Sequence, residues 1–415
     1  MRILVISNSC FSSVNSNGRT MEKLFAPCFS SGEIAQFFVT GTPDSSVCER
    51  YYQVSDRQAF QSFLHQRPCG GPVSPPINAT AAVSSAAKRK TPLKHLLREV
   101  AWKYGKWNSP ELKKWIDDFD PTHIFLFLAN NAFLLDFARQ ISSSRQIPII
   151  AYTTEDYYFK RYNYISKRFS PFYGYLRAQL FRAYKKCTPY IRLCILNTPM
   201  LQALYAEEFS FPCVCLFSKS DISFEDRSAL PEGDWAISYL GNMGLNRHKA
   251  LMEIADTLDS LRPGTKLRVY GSVPEVIREE FLSNPHIDYR GFVSYEEVIS
   301  VIHESHLLVH AEYDSDFNRR DLRAAFSTKI ADSVCSGTPF FLFAPPKLAE
   351  TDFILREQCG FVAKSSDVLS DKLREAMTDE QARKQVVRNA FRSREAYFTA
   401  ESGASLRELI EKENQ

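Results

Sequence analysis

Short runs rich in Ile, Val, Leu and Phe alternate along this chain with longer stretches whose apolar residues recur at helical spacing. Runs this short and this uniformly apolar fit strands buried on both faces, the pattern of parallel sheets joined by crossover helices. The pattern occurs twice. In the first half the predicted strands are Ile3 to Ser7, Ile34 to Val39, His123 to Leu128, Ile147 to Tyr152, Leu193 to Asn197 and Val214 to Phe217. In the second they are Ala236 to Leu240, Lys266 to Tyr270, Ile287 to Arg290, Leu307 to Ala311, Pro339 to Phe343 and Gly360 to Ala363. The fold class is therefore α/β, two doubly wound Rossmann-like domains. Ligands of such sheets bind beyond the carboxyl ends of the strands, so two domains facing a central cleft can share one site.

The first domain is expected over residues 1–217 and the second over 235–385, with a linker at 218–234 where Ser, Asp, Glu, Pro and Gly replace the apolar periodicity. A second irregular stretch, Gly70 to Ala87, reads as a loop inserted in the first domain, followed by a basic helix around Leu93 to Trp107.

Composition supports this division. A chain of 415 residues exceeds what one hydrophobic core usually holds, and 44% apolar with 24% charged residues is an ordinary globular balance. The 31 Phe and 19 Tyr exceed the needs of two cores, which points to rings lining a cleft or facing an apolar partner. Met1 to Ser7 is too short for a signal peptide, and no stretch approaches the ~18 apolar residues of a membrane span. The expectation is a cytoplasmic protein with reduced thiols. Cys213 and Cys215 alternate with apolar neighbours as strand side chains do, and no second pair at zinc spacing accompanies them, so these two are not expected to bind a metal.

Candidate chemistry gathers in the second half. The strand ending at Leu240 runs into Gly241, Asn242, Met243 and Gly244, then Arg247 and Lys249 at a helix start. Glycines at such a turn let backbone amides approach a phosphate, and the two cations add charge. Gly271 and Gly291 supply similar corners after the next strands. The stretch Glu312 to Asp321 is mixed in charge and reads as a solvated loop. Beyond it, Ser327 or Thr328 can cap a helix, Lys329 puts a cation at its mouth, Asp332 follows one turn later and Gly337 stops it. That arrangement suits a nucleotide, with the helix start, Ser327, Thr328 and Lys329 toward the diphosphate and Asp332 toward the ribose. An ordinary capped helix fits equally.

The segment Phe326 to Pro339, with "STKIAD" before "SGTP", resembles the retaining glycosyltransferases of family four, more narrowly those of bacterial capsular and surface polysaccharide clusters. The opening Asn17-Gly18-Arg19-Thr20 resembles them too. The resemblance implies the GT-B fold, residues 386–415 returning to the first domain as one helix from about Asp379 to Glu413, and a nucleotide diphosphate sugar as donor with no cofactor or metal. Asp332 falls where that family has Glu. Two positions depart from its pattern. The family's first acidic residue would be Ala324, with Asp321 as a substitute, and its diphosphate-holding Arg and Lys would be Asn242 and Arg247, so Arg247 with Lys329 is the best pair of cations.

In the first domain the resemblance sets the loop Ser7 to Thr20 opposite the donor, with Gly18 near the reacting sugar or its phosphate; an Asn-Gly turn alone is the plainer reading. Glu155 and Asp156 follow a strand end, where carboxylates can orient an acceptor hydroxyl or take its proton. They can equally cap a helix. From Tyr157 to Ala206 every charged residue is basic, Lys160, Arg161, Lys167, Arg168 and Arg177 among them, and Tyr and Phe interleave. Lys88, Arg89, Lys90, Lys94, Arg98, Lys103 and Lys106 with Trp102 and Trp107 extend the pattern. It suits anionic lipid headgroups or a lipid-linked saccharide acceptor at the inner face of the plasma membrane, a solvated structural face is the plainer alternative, and nucleic acid is not expected for want of a motif. The expected reaction is transfer of a hexosyl-type unit to a saccharide hydroxyl. The alternatives are a nucleotide-sugar epimerase or phosphorylase on the same scaffold, or a non-catalytic nucleotide-sugar-binding assembly partner, which Ala324 favours.

Overall fold

In the computed structural model, which describes residues 1–13, 16–44, 46–75, 91–165 and 169–413, the apolar runs become two separate sheets. The chain divides into two compact units, Met1–Leu216 with Ala404–Gln415, and Phe217–Gly403.

The first unit is built on β1 (Ile3–Ser9), β2 (Ile34–Thr40), β3 (Arg50–Gln53), β4 (Gly71–Val73), β5 (His123–Phe127), β6 (Ile149–Thr153), β7 (Ile191–Leu196) and β8 (Cys213–Cys215). They form one eight-stranded sheet in the order β4-β3-β2-β1-β5-β6-β7-β8, parallel except for the β3–β4 pair. Two of these strands were not expected. Arg50–Gln53 holds only two apolar residues, and Gly71–Val73 lies in the stretch expected to be a loop; each is ordered by its neighbour, Tyr52 facing Pro72.

The helices of this unit are α1 (Ser16–Phe25), α2 (Asp56–His65), α3 (Pro92–Tyr104), α4 (Pro110–Phe119), α5 (Ala132–Arg145), α6 (Pro171–Cys187) and α7 (Pro199–Glu208). Their starts are written in the sequence. Thr91, Ser109 and Thr198 each accept a backbone amide two to three residues into the helix, with Pro at the first helical position, where no amide partner is lost. Ile3, Val5, Phe25, Phe125, Ile150 and Ile195 form the core under these helices.

The second unit carries β9 (Ile237–Leu240), β10 (Leu267–Tyr270), β11 (Ile287–Gly291), β12 (Leu307–Ala311), β13 (Phe340–Phe343) and β14 (Phe361–Ala363), all parallel, in the order β11-β10-β9-β12-β13-β14. This is the doubly wound nucleotide-binding order, in which the chain reverses direction of travel between β9 and β12. Around it lie α8 (Arg247–Leu261), α9 (Glu275–Leu282), α10 (Tyr295–Glu304), α11 (Asp316–Asp321), α12 (Thr328–Ser336), α13 (Ala349–Glu357), α14 (Leu369–Thr378) and α15 (Glu380–Ser393).

The single helix expected from Asp379 to Glu413 is broken. α15 ends at Ser393, a π-turn spans Arg394–Phe398, and only a short α16 (Leu406–Lys412) follows, started by a capping box between Ser405 and Glu408. Residues up to Gly403 stay with the second unit, whereas Leu406 and Ile410 enter the core of the first.

Candidate functional site

At the β9–β12 switch point, β9 ends at Leu240 and the chain turns through Gly241 and Asn242 into α8. The turn is tight. Gly271, with φ of 139°, packs so closely that a Cβ there would lie 1.9 Å from the Gly241 carbonyl, so both corners of this edge depend on bare backbone. Asn242 Oδ1 accepts from the Gly244 amide at 3.2 Å and from Arg247 Nη1 at 2.9 Å. Leu245 and Asn246 hold φ of 59° and 61°, a left-handed backbone that non-glycine residues avoid. Buried Asn318 fixes it, donating to the carbonyls of Leu245 at 2.7 Å and Tyr313 at 2.8 Å. Strain of this kind, held by its surroundings, is characteristic of ligand loops.

Arg247 does not point freely into this turn. Its Nε donates to Glu312 Oε1 at 2.9 Å and its Nη2 reaches the same oxygen. Glu312 is buried at the end of β12, which corrects the reading of Glu312 to Asp321 as a solvated loop. His310 Nε2 lies 3.4 Å from Glu312 Oε1, and the His310 ring stacks on Tyr239 with centroids 6.3 Å apart. Glu350, in the first turn of α13, completes the cluster: one ligand atom from each of His310, Glu312 and Glu350 lies within 4.8 Å of the others.

Burial and charge divide the protons among these groups. Burial opposes the charge of Glu312, but His310 and Arg247 outweigh it and hold that carboxyl below its ordinary range. Burial pushes Glu350 well above its ordinary range, reinforced by Glu312; Arg247 and the Ser327 amide oppose this. Burial lowers His310, with Arg247 and Lys329 acting in the same direction and Glu312 against. At neutral pH His310 is thus a neutral imidazole and Glu312 a carboxylate beside the Arg247 cation, and Glu350 is the carboxyl most reluctant to ionise.

On α12, Lys329 is exposed at the first turn, and Asp332 Oδ1 accepts from Ser220 Oγ at 2.6 Å. Ser327 is the N-cap residue but makes no side-chain cap bond. Gly337 ends the helix at φ of 80°, where a Cβ would stand 2.2 Å from the Glu225 carbonyl. The expected linker is therefore packed: the Glu225 amide donates to the Ser336 carbonyl at 2.9 Å and the Arg227 amide to the Gly337 carbonyl at 3.1 Å. Lys249 lies over the Tyr313 ring, 5.6 Å from its centroid.

Of the expected site residues, the structure brings together Gly241, Asn242, Gly244 and Arg247 on one turn with Gly271 packed against it, and sets Ser327, Thr328, Lys329 and Asp332 at another helix of the same unit. Lys329 and Arg247 both bear on His310. His310, Glu312 and Glu350 were missed. The available signal was position: Glu312 directly follows a strand at the switch point. Glu350 has no signal, because only the fold brings it near.

Gly18, Glu155 and Asp156 belong to the first unit. Gly18 sits inside α1, not in an open turn, and a Cβ there would meet the Cys10 carbonyl at 2.5 Å and the Ser12 amide at 2.7 Å, so the glycine is required by packing. Glu155 and Asp156 flank the buried Lys160, whose Nζ is 3.4 Å from Glu155 Oε2 and 3.3 Å from Asp156 Oδ1. Both carboxylates are thus engaged with an internal cation.

The basic and aromatic segments are only partly a surface. Trp102 stacks on Phe133 with centroids 4.1 Å apart, Trp107 is buried beside it, and Arg177 donates to the Tyr157 carbonyl at 2.6 Å and also to that of Tyr158. What stays exposed is Leu93, Leu97 and Tyr104 on α3, Phe172 and Tyr175 on the adjoining α6, and Phe169 at 96% exposure, with Lys94, Lys103, Lys106, Arg182, Lys185 and Lys186. Lys88, Arg89, Lys90, Lys167 and Arg168 lie outside the described residues. Among the described residues no helix is long and apolar enough to cross a membrane.

Comparison with known proteins bears on both units. Residues 221–393, within the second, match the family Glycosyl transferases group 1. No curated protein matches the chain. Among solved structures, a sucrose-phosphate synthase from Thermosynechococcus elongatus aligns over 97% of this chain and 96% of its own at a TM-score of 0.62 and 11% identity. The glycotransferase of kitacinnamycin aligns over 99% of this chain and 98% of its own at 0.49 and 11% identity. S. aureus TarM aligns over 70% and 55% at 0.49 and 13% identity. The first of these likenesses gives the fold: two Rossmann-like domains of the GT-B class, as the apolar pattern and the motif implied.

Proposed function

We propose that this protein is a glycosyltransferase that moves a hexosyl unit from a nucleotide diphosphate sugar to a hydroxyl of a lipid-linked or growing saccharide in surface polysaccharide synthesis. The observation that carries the reading is the polar cluster at the β9–β12 switch point of a unit whose residues 221–393 match the Glycosyl transferases group 1 family. Arg247 and Lys329 supply positive charge for the departing diphosphate, and the amides of the Gly241 to Gly244 turn add donors. Asp332 receives the ribose hydroxyls. With these cations the transfer itself calls for no divalent ion, and we read it as retaining the anomeric configuration.

Glu155 and Asp156 serve the acceptor side in this reading, with Lys160 setting their orientation. The exposed rings and cations of α3 and α6 meet the anionic inner face of the plasma membrane, where a lipid-linked acceptor is presented. The test is a thermal-shift screen of UDP, GDP, ADP and their sugars, followed by an assay of the stabilising donor with and without lipid-linked acceptors. Consumption of donor that requires acceptor supports transfer. Conversion of the donor with no acceptor present marks an epimerase, and binding without turnover marks an assembly partner.

A further inference from the structure

We propose that His310, Glu312 and Glu350 form a buried site for a divalent transition-metal ion of the zinc class. All three side chains are buried, and His310 Nε2, Glu312 Oε2 and Glu350 Oε1 are each enclosed without a hydrogen-bond partner. Three buried polar atoms without a hydrogen bond on one cluster need a common explanation, because each lost its water on folding and the one compensating contact, His310 Nε2 to Glu312 Oε1, is long at 3.4 Å. A proton on Glu350 can bridge one pair of these atoms. A cation at their centre engages all three.

The surroundings resemble the outer layer of a metal centre. Arg247 donates to Glu312 Oε1, the oxygen 3.4 Å from His310 Nε2, and fixes the carboxylate plane, while Oε2 is enclosed without a hydrogen bond. Tyr239 stacks on the His310 ring and sets its direction. The donors lie within 4.8 Å of one another, against roughly 3.4 Å around a tetrahedral zinc with bonds of about 2.0–2.2 Å, so side-chain adjustment of about an ångström closes the site. One imidazole with two carboxylates favours zinc, cobalt or iron(II) over magnesium or calcium, which take oxygen alone.

The ion is structural. It ties the end of β12 to the start of α13, and through Glu312 it fixes where Arg247 stands. Because the ligands come from positions 310, 312 and 350, no motif spacing announces them. Being enclosed, the ion enters as the chain folds.

Untagged protein is produced in medium supplemented with Zn²⁺ or Co²⁺, dialysed without chelator and analysed for metal by mass spectrometry. Wild type is expected to hold about one equivalent, and His310→Gln and Glu350→Gln at least roughly ten-fold less, as loss of one ligand of three implies. The cobalt protein shows a visible ligand-field band that His310→Gln abolishes. Metal-free wild type from both preparations overturns the proposal, as does bound metal that neither substitution reduces. Should the variants not fold, X-ray absorption of the zinc-loaded wild type decides: one nitrogen and otherwise oxygen ligands support the site, sulfur ligands overturn it. None of these readouts depends on glycosyl transfer, so the metal site and the proposed activity stand or fall separately.

Discussion

Ser220 donates its hydroxyl to Asp332 Oδ1 across 2.6 Å, joining the segment that precedes β9 to the second turn of α12. The residue expected to receive ribose is therefore oriented by a segment the sequence presented as mere linker. Asp332→Ala removes both the proposed nucleotide contact and this anchor. A hydrogen bond to a charged group is worth about 1.5–3 kcal/mol, so the Kd for the cognate nucleoside diphosphate is expected to rise about 10- to 150-fold. Ser220→Ala leaves the carboxylate in place and raises Kd only a few-fold. Titration calorimetry of both variants checks the order; equal losses, or none for Asp332→Ala, remove Asp332 from the donor site.

Arg247 and Glu312 make a buried pair, with side chains 14% and 2% exposed. Removing one partner strands the other charge, which typically costs about 3–5 kcal/mol, whereas replacing both by apolar groups is close to neutral. Arg247→Ala is thus expected to lower the thermal midpoint sharply, and Arg247→Met with Glu312→Leu, compared on metal-free proteins, to recover most of it. Nucleotide binding stays lost in both. A double variant that binds nucleotide normally means that Arg247 serves the fold alone.

Much of this was legible in the sequence, and the exceptions share a cause. Strands such as Ile3–Ser9 and Phe340–Phe343 announce themselves because a parallel strand buried on both faces must be apolar throughout. Gly71–Val73 gives no such signal, being an edge strand ordered only by pairing with Arg50–Gln53. Asn242 and Arg247 were legible because the strand–turn–helix places them locally. The actual partner of Arg247, Glu312, comes from 65 residues away and reads as solvent-exposed among Asp314, Asp316 and Arg319. Trp102 and Trp107 misled in the opposite sense. Flanking lysines suggested a wet face, but the rings turn inward and the lysines outward.

Glu99 on α3 gives the pH response a definite sign. Its Oε1 is enclosed without a partner, and burial pushes its carboxyl from 4.5 to about 7, partly offset by Arg98 and the amides of Ala132 and Phe133 at the start of α5. A carboxyl raised in the folded state contributes stability below the unfolded value, and that contribution disappears as pH rises through the folded value. Stability is therefore expected to fall from about pH 4.5 to about pH 7 on account of this group, by at most about 3 kcal/mol. Glu99→Gln removes the component, so its thermal midpoint should exceed that of wild type above pH 7. Parallel midpoint-versus-pH curves for the two proteins contradict this assignment.

Arg407 clamps α16 to the first unit. Its Nη2 donates to both oxygens of Glu33, at 2.7 and 2.8 Å, its Nε to the Cys28 carbonyl at 2.8 Å, and its guanidinium lies over the Phe29 ring. The Arg407 hydrogen bonds, against a smaller opposing effect of burial, lower the Glu33 carboxyl from 4.5 to about 2. A depressed carboxyl stabilises the fold above its unfolded value and loses that contribution as pH falls toward the folded one, so the clamp should open between about pH 4.5 and pH 2. α16 is too short to persist alone and relies on Leu406, Ile410 and this clamp. Arg407→Ala should accelerate amide exchange across residues 406–412 at neutral pH while leaving β1 and β5 protected. Acidifying wild type to pH 3 should reproduce part of that acceleration and leave the variant's rate, corrected for intrinsic exchange, nearly unchanged. If wild type and variant exchange alike at both pH values, the apolar contacts alone hold α16.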